Sequence, residues 1–474
     1  MTNNKASKPK ETNKQTSKEP KPTMGTTAKQ PNPQPHPAND NDDDHHQGRH
    51  HVKSPAYFLG ATTSLDTMPH ALGVISNMSD YAKLSERFGQ EFSLAESTKT
   101  ALQVTRDERF CHQVGFAPDL MVRQLEELFT KHKIPMGLMN KLFGLSDFDV
   151  VEFIIDDSNS MHCSYVSPHD ADKNGQQQQQ QQQTNTRWTQ AQARLKELLE
   201  LVAFVPLSRI QVSFLDRPTE LIWTRQDVDG HNHKQPHLFL KDAYADIDAC
   251  FALGPTDTPT QWEHLHDSMI AGRHKEKVAC FFLTDGLPNA RHLAHHETFQ
   301  ALLQRPNPAA NPVTFLSCTD DQAHRDWMKQ AASIVPYCTE WDDYAASKDE
   351  VMSAQGRALP YTKGFHLICE LVSAMYPDDL GMIKNSVPLT KATLDTLLGI
   401  RLNETTYRYY FDEFCQAQQQ DTNNNNGNDN NPKDKVKRNF SWDVDEFLRI
   451  PLAKASSQVA EYNKLLKQEA TQFG

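Results

Sequence analysis

The stretch Asp149-Val-Val-Glu-Phe-Ile-Ile-Asp-Asp-Ser-Asn-Ser-Met161 decides the fold of this chain. Its apolar run, Val150–Ile155, is typical of a fully buried strand bounded by polar turn residues. Asp156, Ser158 and Ser160 follow the strand at every second position. A loop at the carboxyl end of a buried strand can turn three such side chains toward one point. Carboxylate and hydroxyl oxygens suit a hard divalent cation, Mg²⁺ or Mn²⁺.

Much of the 474-residue chain is too polar to form part of a folded core. The least apolar segments are the first 52 residues, the homopolymer Gln176–Gln183, and the Gln-, Asn- and Asp-rich tract Gln416–Lys437. Such segments bury too little apolar surface to offset the entropy of ordering the chain. We therefore expect a disordered polar tail at 1–52, a Gln-rich insertion at 164–186 and an Asn/Gln-rich linker at 416–437.

Charge and cysteine usage limit the protein classes to which the chain can belong. The net charge of −12 argues against a nucleic-acid-binding protein. No signal peptide is evident, and no apolar stretch approaches the roughly 18 residues of a membrane span. Cys280, Cys318 and Cys369 lie in apolar surroundings and are predicted to be buried free thiols. We expect a cytoplasmic protein, and export by a non-Sec route stays open.

The folded part of the chain divides into regions of different pattern. Apolar residues at helical spacing predict a helical region at 53–147, a helical extension at 346–415 and a C-terminal helix within 438–474. Between them, residues 148–345 alternate buried strands with amphipathic helices. This alternation predicts an α/β fold with a doubly wound, mostly parallel, Rossmann-like sheet. The tight turn at Asp216-Arg217-Pro218 indicates a hairpin, and therefore one antiparallel edge strand.

The direction of successive elements indicates which loops lie together. The strand ending at Asp156, the loop Gly254–Pro259 and the strand Val278–Leu283, which leads into Thr284-Asp285-Gly286, all reach the same edge of the predicted sheet. In open α/β sheets, ligands bind outside the carboxyl ends of the strands. The sequence therefore predicts that oxygen-bearing side chains from three distant segments converge.

Together these motifs resemble the metal-ion-dependent adhesion site of von Willebrand factor A domains. The resemblance rests on Asp156-x-Ser158-x-Ser160, a threonine in a Gly/Pro/Thr loop about a hundred residues later, and Thr284-Asp285-Gly286-x-Pro288 after an apolar strand. It covers roughly 148–340 without the Gln-rich insertion. It implies that Ser158, Ser160 and Thr258 contact the metal directly or through water. Asp156 and Asp285 would mainly hold the coordinating waters and hydroxyls.

The motif departs from the family pattern at two places. Asn159 stands between the two serines, where the family usually has Gly, and Asn tolerates unusual backbone angles. The threonine loop reads Gly-Pro-Thr-Asp-Thr-Pro, so Thr256 is an alternative to Thr258. We prefer Thr258 because the Pro259-Thr260 that follows it resembles the family's continuation into a helix.

The resemblance implies a protein-binding module and not an enzyme. In this family, a Glu or Asp carboxylate of a partner protein completes the coordination of the metal. One alternative is a metal-dependent phosphatase or phosphotransferase with Asp156 as the nucleophile, although Ser158 stands where such enzymes place a second Asp. Another is a secreted effector or scaffold that uses the same domain for docking.

Overall fold

A computed structural model describes residues 74–88, 92–165, 186–215, 217, 220–224, 233–251, 276–286, 302–319, 321–424 and 442–449. These residues all lie within one compact unit, Thr63–Gly474. The predicted tail 1–52, most of the Gln-rich insertion and the loop that carries Thr256 and Thr258 lie outside the described residues.

Eight strands are found in the described part of the chain. They are β1 (Ser93–Leu94), β2 (Val150–Ile155), β3 (Arg209–Phe214), β4 (Leu221–Thr224), β5 (Val278–Thr284), β6 (Val313–Ser317), β7 (Cys338–Trp341) and β8 (Ile400–Arg401). Strands β1 and β8 form a small antiparallel pair. The other six form one sheet in the order β4-β3-β2-β5-β6-β7.

This central sheet is parallel except for β4, which pairs antiparallel with β3 at one edge. The antiparallel edge strand predicted from the hairpin is therefore confirmed. Strand β2 lies between β3 and β5 and is in register with both, so that Ile155 is level with Phe214 and with Leu283. All six residues of β2 are buried, as the apolar run predicts. The chain has an α/β fold with a mostly parallel sheet.

Thirteen α-helices surround the sheet in the described residues. They are α1 (Met78–Phe88), α2 (Glu96–Val104), α3 (Glu108–Val114), α4 (Pro118–His132), α5 (Met139–Phe143), α6 (Arg187–Val202), α7 (Pro236–Asp248), α8 (Gln322–Ile334), α9 (Tyr344–Gln355), α10 (Lys363–Val372), α11 (Lys391–Leu398), α12 (Glu404–Asn424) and α13 (Val444–Arg449). Among the described residues, no helix has the length and apolarity needed to cross a membrane.

Alternate residues of the central strands belong to different apolar cores. Phe153 and Phe281 stack at a ring distance of 5.0 Å, in a large core that also contains buried residues of α6 and of the helices before and after the sheet. Ile154 and Phe282 belong to a second core, with Trp327 of α8. Both faces of β2 and β5 are therefore covered, which explains why these strands are apolar at consecutive positions and not at every second one.

Several element boundaries differ from the sequence predictions. The apolar spacing of Ser93–Val104 predicts a helix, but Ser93 and Leu94 form β1. The short helix that the pattern of Pro135–Leu145 predicts is split into α5 and a 3₁₀ turn on each side of it. The segment Ile334–Thr339 predicts a last strand, but the strand begins at Cys338 because Ile334 still belongs to α8. Helix α12 continues past Gln416, where the sequence placed the start of a linker.

All eight cysteines lie in described parts of the chain, and all are free thiols. Cys280, Cys318 and Cys369 are buried, as predicted.

Candidate functional site

Asp156 and Asp285 lie at the same edge of the sheet. Asp156 directly follows β2, and Asp285 directly follows the neighbouring strand β5. The two strand ends are level because the amide of Asp156 donates to the Leu283 carbonyl at 2.8 Å. The carboxyl ends of parallel neighbours meet at one edge, so this part of the predicted convergence is confirmed.

The two serines of the motif complete a chain of hydrogen bonds to Asp285. The Oγ atoms of Ser158 and Ser160 are 2.9 Å apart, and the Ser160 hydroxyl donates to Asp285 Oδ1 at 2.9 Å. A 3₁₀ turn, Asn159–His162, directs Ser160 back toward the sheet, and the fully buried Met161 anchors this turn. Side chains that are 125 residues apart in sequence are therefore in direct contact.

Asp156 is held by groups on both sides of its carboxylate. Its Oδ1 accepts from the Ser158 amide at 3.0 Å, and its Oδ2 accepts from the Thr284 hydroxyl at 2.8 Å. Only 6% of the residue is exposed. Burial and the negative charge of Asp285 raise the pKa of Asp156 to about 6, although these hydrogen bonds favour the ionised form. Thr284 is thus a site residue to which the sequence argument gave no role.

Arg187 is a second residue that the sequence analysis missed. Its Nη1 donates to Asp285 Oδ2 at 2.8 Å. It is the first residue of α6, where Thr186 caps the helix through a hydrogen bond from the Thr189 amide. A cation in the first turn of a helix opposes the helix dipole. This unfavourable position is the signal in the sequence that could have indicated an acidic partner for Arg187.

Asp157 is directed to a different partner from its neighbours in the motif. It is fully buried, and Arg217 Nε donates to its Oδ2 at 2.7 Å. Arg217 also donates to the Phe251 carbonyl, and its guanidinium lies 4.5 Å from the Phe214 ring centroid. This pair connects the motif loop with Arg217 in the hairpin and with Phe251, which follows α7.

Further contacts position the backbone after β5. His324 Nδ1 lies 3.0 Å from the Asp285 carbonyl oxygen, and the Trp327 indole donates to the Gly286 carbonyl at 3.3 Å. Both residues belong to α8. The loop that carries Asp285 is therefore fixed from this helix as well as from α6.

Four of the five predicted metal-site residues are thus brought together: Asp156, Ser158, Ser160 and Asp285. Thr258, like its alternative Thr256, lies outside the described residues. Within the described ranges, no group of three or more His, Cys, Asp or Glu side chains could hold a metal. The cluster contains two carboxylates, and its remaining oxygen atoms come from hydroxyl groups.

The Ser158–Ser160 and Ser160–Asp285 oxygen pairs are each 2.9 Å apart, which is hydrogen-bond distance. The side chains that the structure describes in the cluster carry hydroxyl and carboxylate oxygen atoms, the ligand types of Mg²⁺ and Mn²⁺ sites.

Comparisons with known proteins give little further information. No protein-family model and no curated protein sequence matches the chain. Among solved structures, the chain is similar to proximal thread matrix protein 1 from the mussel byssus, at 15% sequence identity and a TM-score of 0.24. The match covers 42% of this chain and 44% of the mussel protein. A likeness at this level supports no conclusion about fold or function.

Proposed function

We propose that the chain contains a doubly wound domain of the von Willebrand factor A type, which binds a partner protein through a Mg²⁺ ion at the Asp156–Asp285 cluster. The strand order supports this proposal, because the chain proceeds from β2 to β3 on one side and from β5 to β6 on the other. The loops after β2 and β5 therefore flank the point where the order reverses. Ligands of open α/β sheets bind at such points.

The observation that carries the proposal is the position of the Ser160 hydroxyl. It contacts Ser158 within the motif and Asp285 on the neighbouring strand. Serine and aspartate are common in turns, so a short motif alone is weak support. A hydroxyl that links the motif with the second predicted segment is much stronger support.

Each residue has a defined task in this proposal. Ser158 and Ser160 supply uncharged ligands, so the cation keeps most of its positive charge. Asp156 orients the motif through the Ser158 amide and the Thr284 hydroxyl, and Asp285 orients Ser160. By the resemblance, Thr258 would supply a further hydroxyl ligand. The bound cation supplies a positive centre for an exposed Asp or Glu carboxylate of the partner, and such a contact gives specificity by charge complementarity.

The phosphatase alternative is less consistent with this geometry. A nucleophilic carboxylate needs an oxygen that can approach a phosphorus atom. Both oxygens of Asp156 accept hydrogen bonds, and the residue is almost completely buried. The effector or scaffold hypothesis uses the same docking site and differs only in where the protein acts.

Capture of partners in the presence of Mg²⁺ or EDTA tests the proposal. We expect the immobilised full chain to retain one or more proteins in Mg²⁺ and to lose them in EDTA. The Asp156→Ala and Asp285→Ala variants should each abolish this capture. Asp149→Ala is the matched control, because Asp149 accepts from the Lys277 amide at the opposite end of β2. Capture that resists EDTA in the wild-type chain would contradict the metal bridge.

The same preparations separate binding from catalysis. A generic phosphate ester should not be hydrolysed by the wild-type chain or by Asp156→Asn. Turnover that disappears in Asp156→Asn would instead favour the phosphatase.

A further inference from the structure

Arg187 places a fixed positive charge inside the proposed cation site. Its guanidinium donates to Asp285 Oδ2, and the two side chains are only 13% and 2% exposed. The backbone at this position is also fixed. The Arg187 amide donates to the Cys163 carbonyl at 3.1 Å, and Thr186 forms a bridge with Ser164. The guanidinium is therefore held beside Asp285 and is not a loose surface group.

The charges around the motif divide into two sets. Asp157 is paired with Arg217 at 2.7 Å. The carboxylates of Asp156 and Asp285 lie in the hydroxyl cluster, and the Arg187 guanidinium contacts Asp285. One of the cluster's two negative charges is thus balanced by the protein. Charges interact more strongly in such buried surroundings than in water.

We propose that Arg187 sets the cation affinity of this site, because its guanidinium beside Asp285 repels a divalent cation and weakens its binding. This inference rests on the proposed function. It means that a residue outside the Asp156-x-Ser158-x-Ser160 motif controls the cation affinity of the site. If Arg187 were purely structural, it would anchor α6 to the end of β5. The wild-type chain would then bind the cation as tightly as the Arg187 variants, or more tightly. Removal of the charge should therefore leave Mg²⁺ binding equal or weaker if Arg187 is purely structural, and tighter if Arg187 repels the cation.

Calorimetric titration of the full chain with Mg²⁺ distinguishes these roles. Arg187→Gln removes the charge, and we expect it to bind Mg²⁺ at least about tenfold more tightly than the wild-type chain. Arg187→Lys retains the positive charge but lacks the planar guanidinium group. Its dissociation constant for Mg²⁺ should stay within about threefold of the wild-type value.

Arg209→Gln is the matched control for the change in net charge. Arg209 pairs with Glu276 at 2.9 Å and begins β3, so it lies at the opposite edge of the sheet from Asp285. The control makes the same substitution and changes the net charge by the same amount. Its affinity for Mg²⁺ should equal that of the wild-type chain, because charges beyond the screening length contribute little.

Thermal unfolding provides a second readout that does not depend on partner binding. Arg187→Gln should have a lower Tm than the wild-type chain in EDTA, because Asp285 loses its counter-charge. Its rise in Tm on addition of Mg²⁺ should be larger, since a tighter ligand stabilises the folded state more. This rise can be measured even in a destabilised variant.

The possible failures are distinguishable. Equal or weaker Mg²⁺ binding by Arg187→Gln, with normal binding by the wild-type chain, would overturn the role of Arg187 and leave the proposed function intact. Absence of Mg²⁺ binding in the wild-type chain, Arg187→Gln and Arg187→Lys would overturn the proposed function together with this inference.

Discussion

Helix α6 carries two arginines in different surroundings, the buried Arg194 and the partly buried Arg187. Arg194 donates to the Glu370 carboxylate at 2.8 Å and to the backbone carbonyls of Ser317, Trp341 and Asp342, at 2.7, 3.0 and 2.8 Å. Arg187 donates to Asp285, which lies beside a second carboxylate. One arginine joins strand ends to α10, whereas the other partly compensates two adjacent negative charges.

The pKa values of the neighbouring acids follow this difference. Burial opposes ionisation of Glu370, but the positive charges of Arg194 and His366 outweigh it and lower its pKa to about 2. His366 Nε2 lies 2.8 Å from the same carboxylate, and its Nδ1 lies 2.8 Å from the Tyr361 hydroxyl. At the motif, burial and Asp285 raise the pKa of Asp156 to about 6.

The comparison separates a structural ion pair from a candidate binding site. The Glu370 network places opposite charges together and connects α6, α10 and the ends of β6 and β7. The motif cluster places like charges together, an arrangement that proteins typically reserve for functional sites. A divalent cation would offset the repulsion between Asp156 and Asp285 and would have no comparable place beside Glu370.

Removal of Arg194 should cause the largest loss of stability. Arg194→Met leaves the Glu370 carboxylate buried without this partner and deprives three carbonyls of a donor. We expect the free energy of unfolding to fall by about 3–5 kcal/mol in EDTA, as measured by urea denaturation. Arg187→Met should cost at least about 2 kcal/mol less, because it removes a donor from one carboxylate. Equal losses in the two variants would contradict the distinction between the two arginines.

The contributions of Asp156 and Glu370 to the free energy of unfolding should change with pH in opposite directions. Asp156 has a raised pKa, so its contribution is complete below its unfolded value near 3.8 and is lost as the pH rises through about 6. Glu370 has a lowered pKa, so its contribution is present above about 4.5 and is lost as the pH falls toward 2. Each effect amounts to at most about 3 kcal/mol.

Urea denaturation in EDTA between pH 2 and pH 7 measures both contributions. Relative to the wild-type chain, Asp156→Asn should abolish the decline in stability between about pH 4 and 6. Glu370→Gln should abolish the increase between about pH 2 and 4.5. If Asp156→Asn removed an increase with pH and not a decline, burial and repulsion from Asp285 would not outweigh the hydrogen bonds that favour ionised Asp156.

Shortening the Gln-rich insertion should have the smallest effect. Ser164 and Thr186 form a backbone bridge at its two ends, next to Arg187. The entropy of closing a loop depends only logarithmically on its length, so deletion of Gln176–Gln183 should change the free energy of unfolding by less than about 0.6 kcal/mol. Mg²⁺ affinity should also remain unchanged. A large change in either quantity would show that the insertion contributes to the site and is not merely tolerated.

The sequence predicts the parts of this structure that depend on local pattern. The run Val150–Ile155 indicates β2 because it is short, is bounded by polar turn residues and is apolar at nearly every position, as a strand covered on both faces is. The meeting of Asp156 with Asp285 follows from the direction of successive elements, without knowledge of any side-chain contact.

Contacts that depend on three-dimensional packing were not predictable from the sequence. Arg194 looks like an ordinary polar position of an amphipathic helix, and its acidic partner lies 176 residues away. The position of Arg187 at the start of α6 indicates an acidic partner but not which one, since Asp285 lies 98 residues away. The start of β7 was misplaced for a similar reason. Ile334 is apolar but is 54% exposed at the end of α8, whereas Cys338, Glu340 and Trp341 of the strand are buried.

Anomalous diffraction from crystals soaked in Mn²⁺ tests the central claim most directly. The account predicts a strong anomalous peak about 2.2 Å from the Oγ atoms of both Ser158 and Ser160, and loss of that peak in a Ser158→Ala, Ser160→Ala double variant. Well-ordered crystals of the wild-type chain that show no peak between the two serines and Asp285 would contradict it.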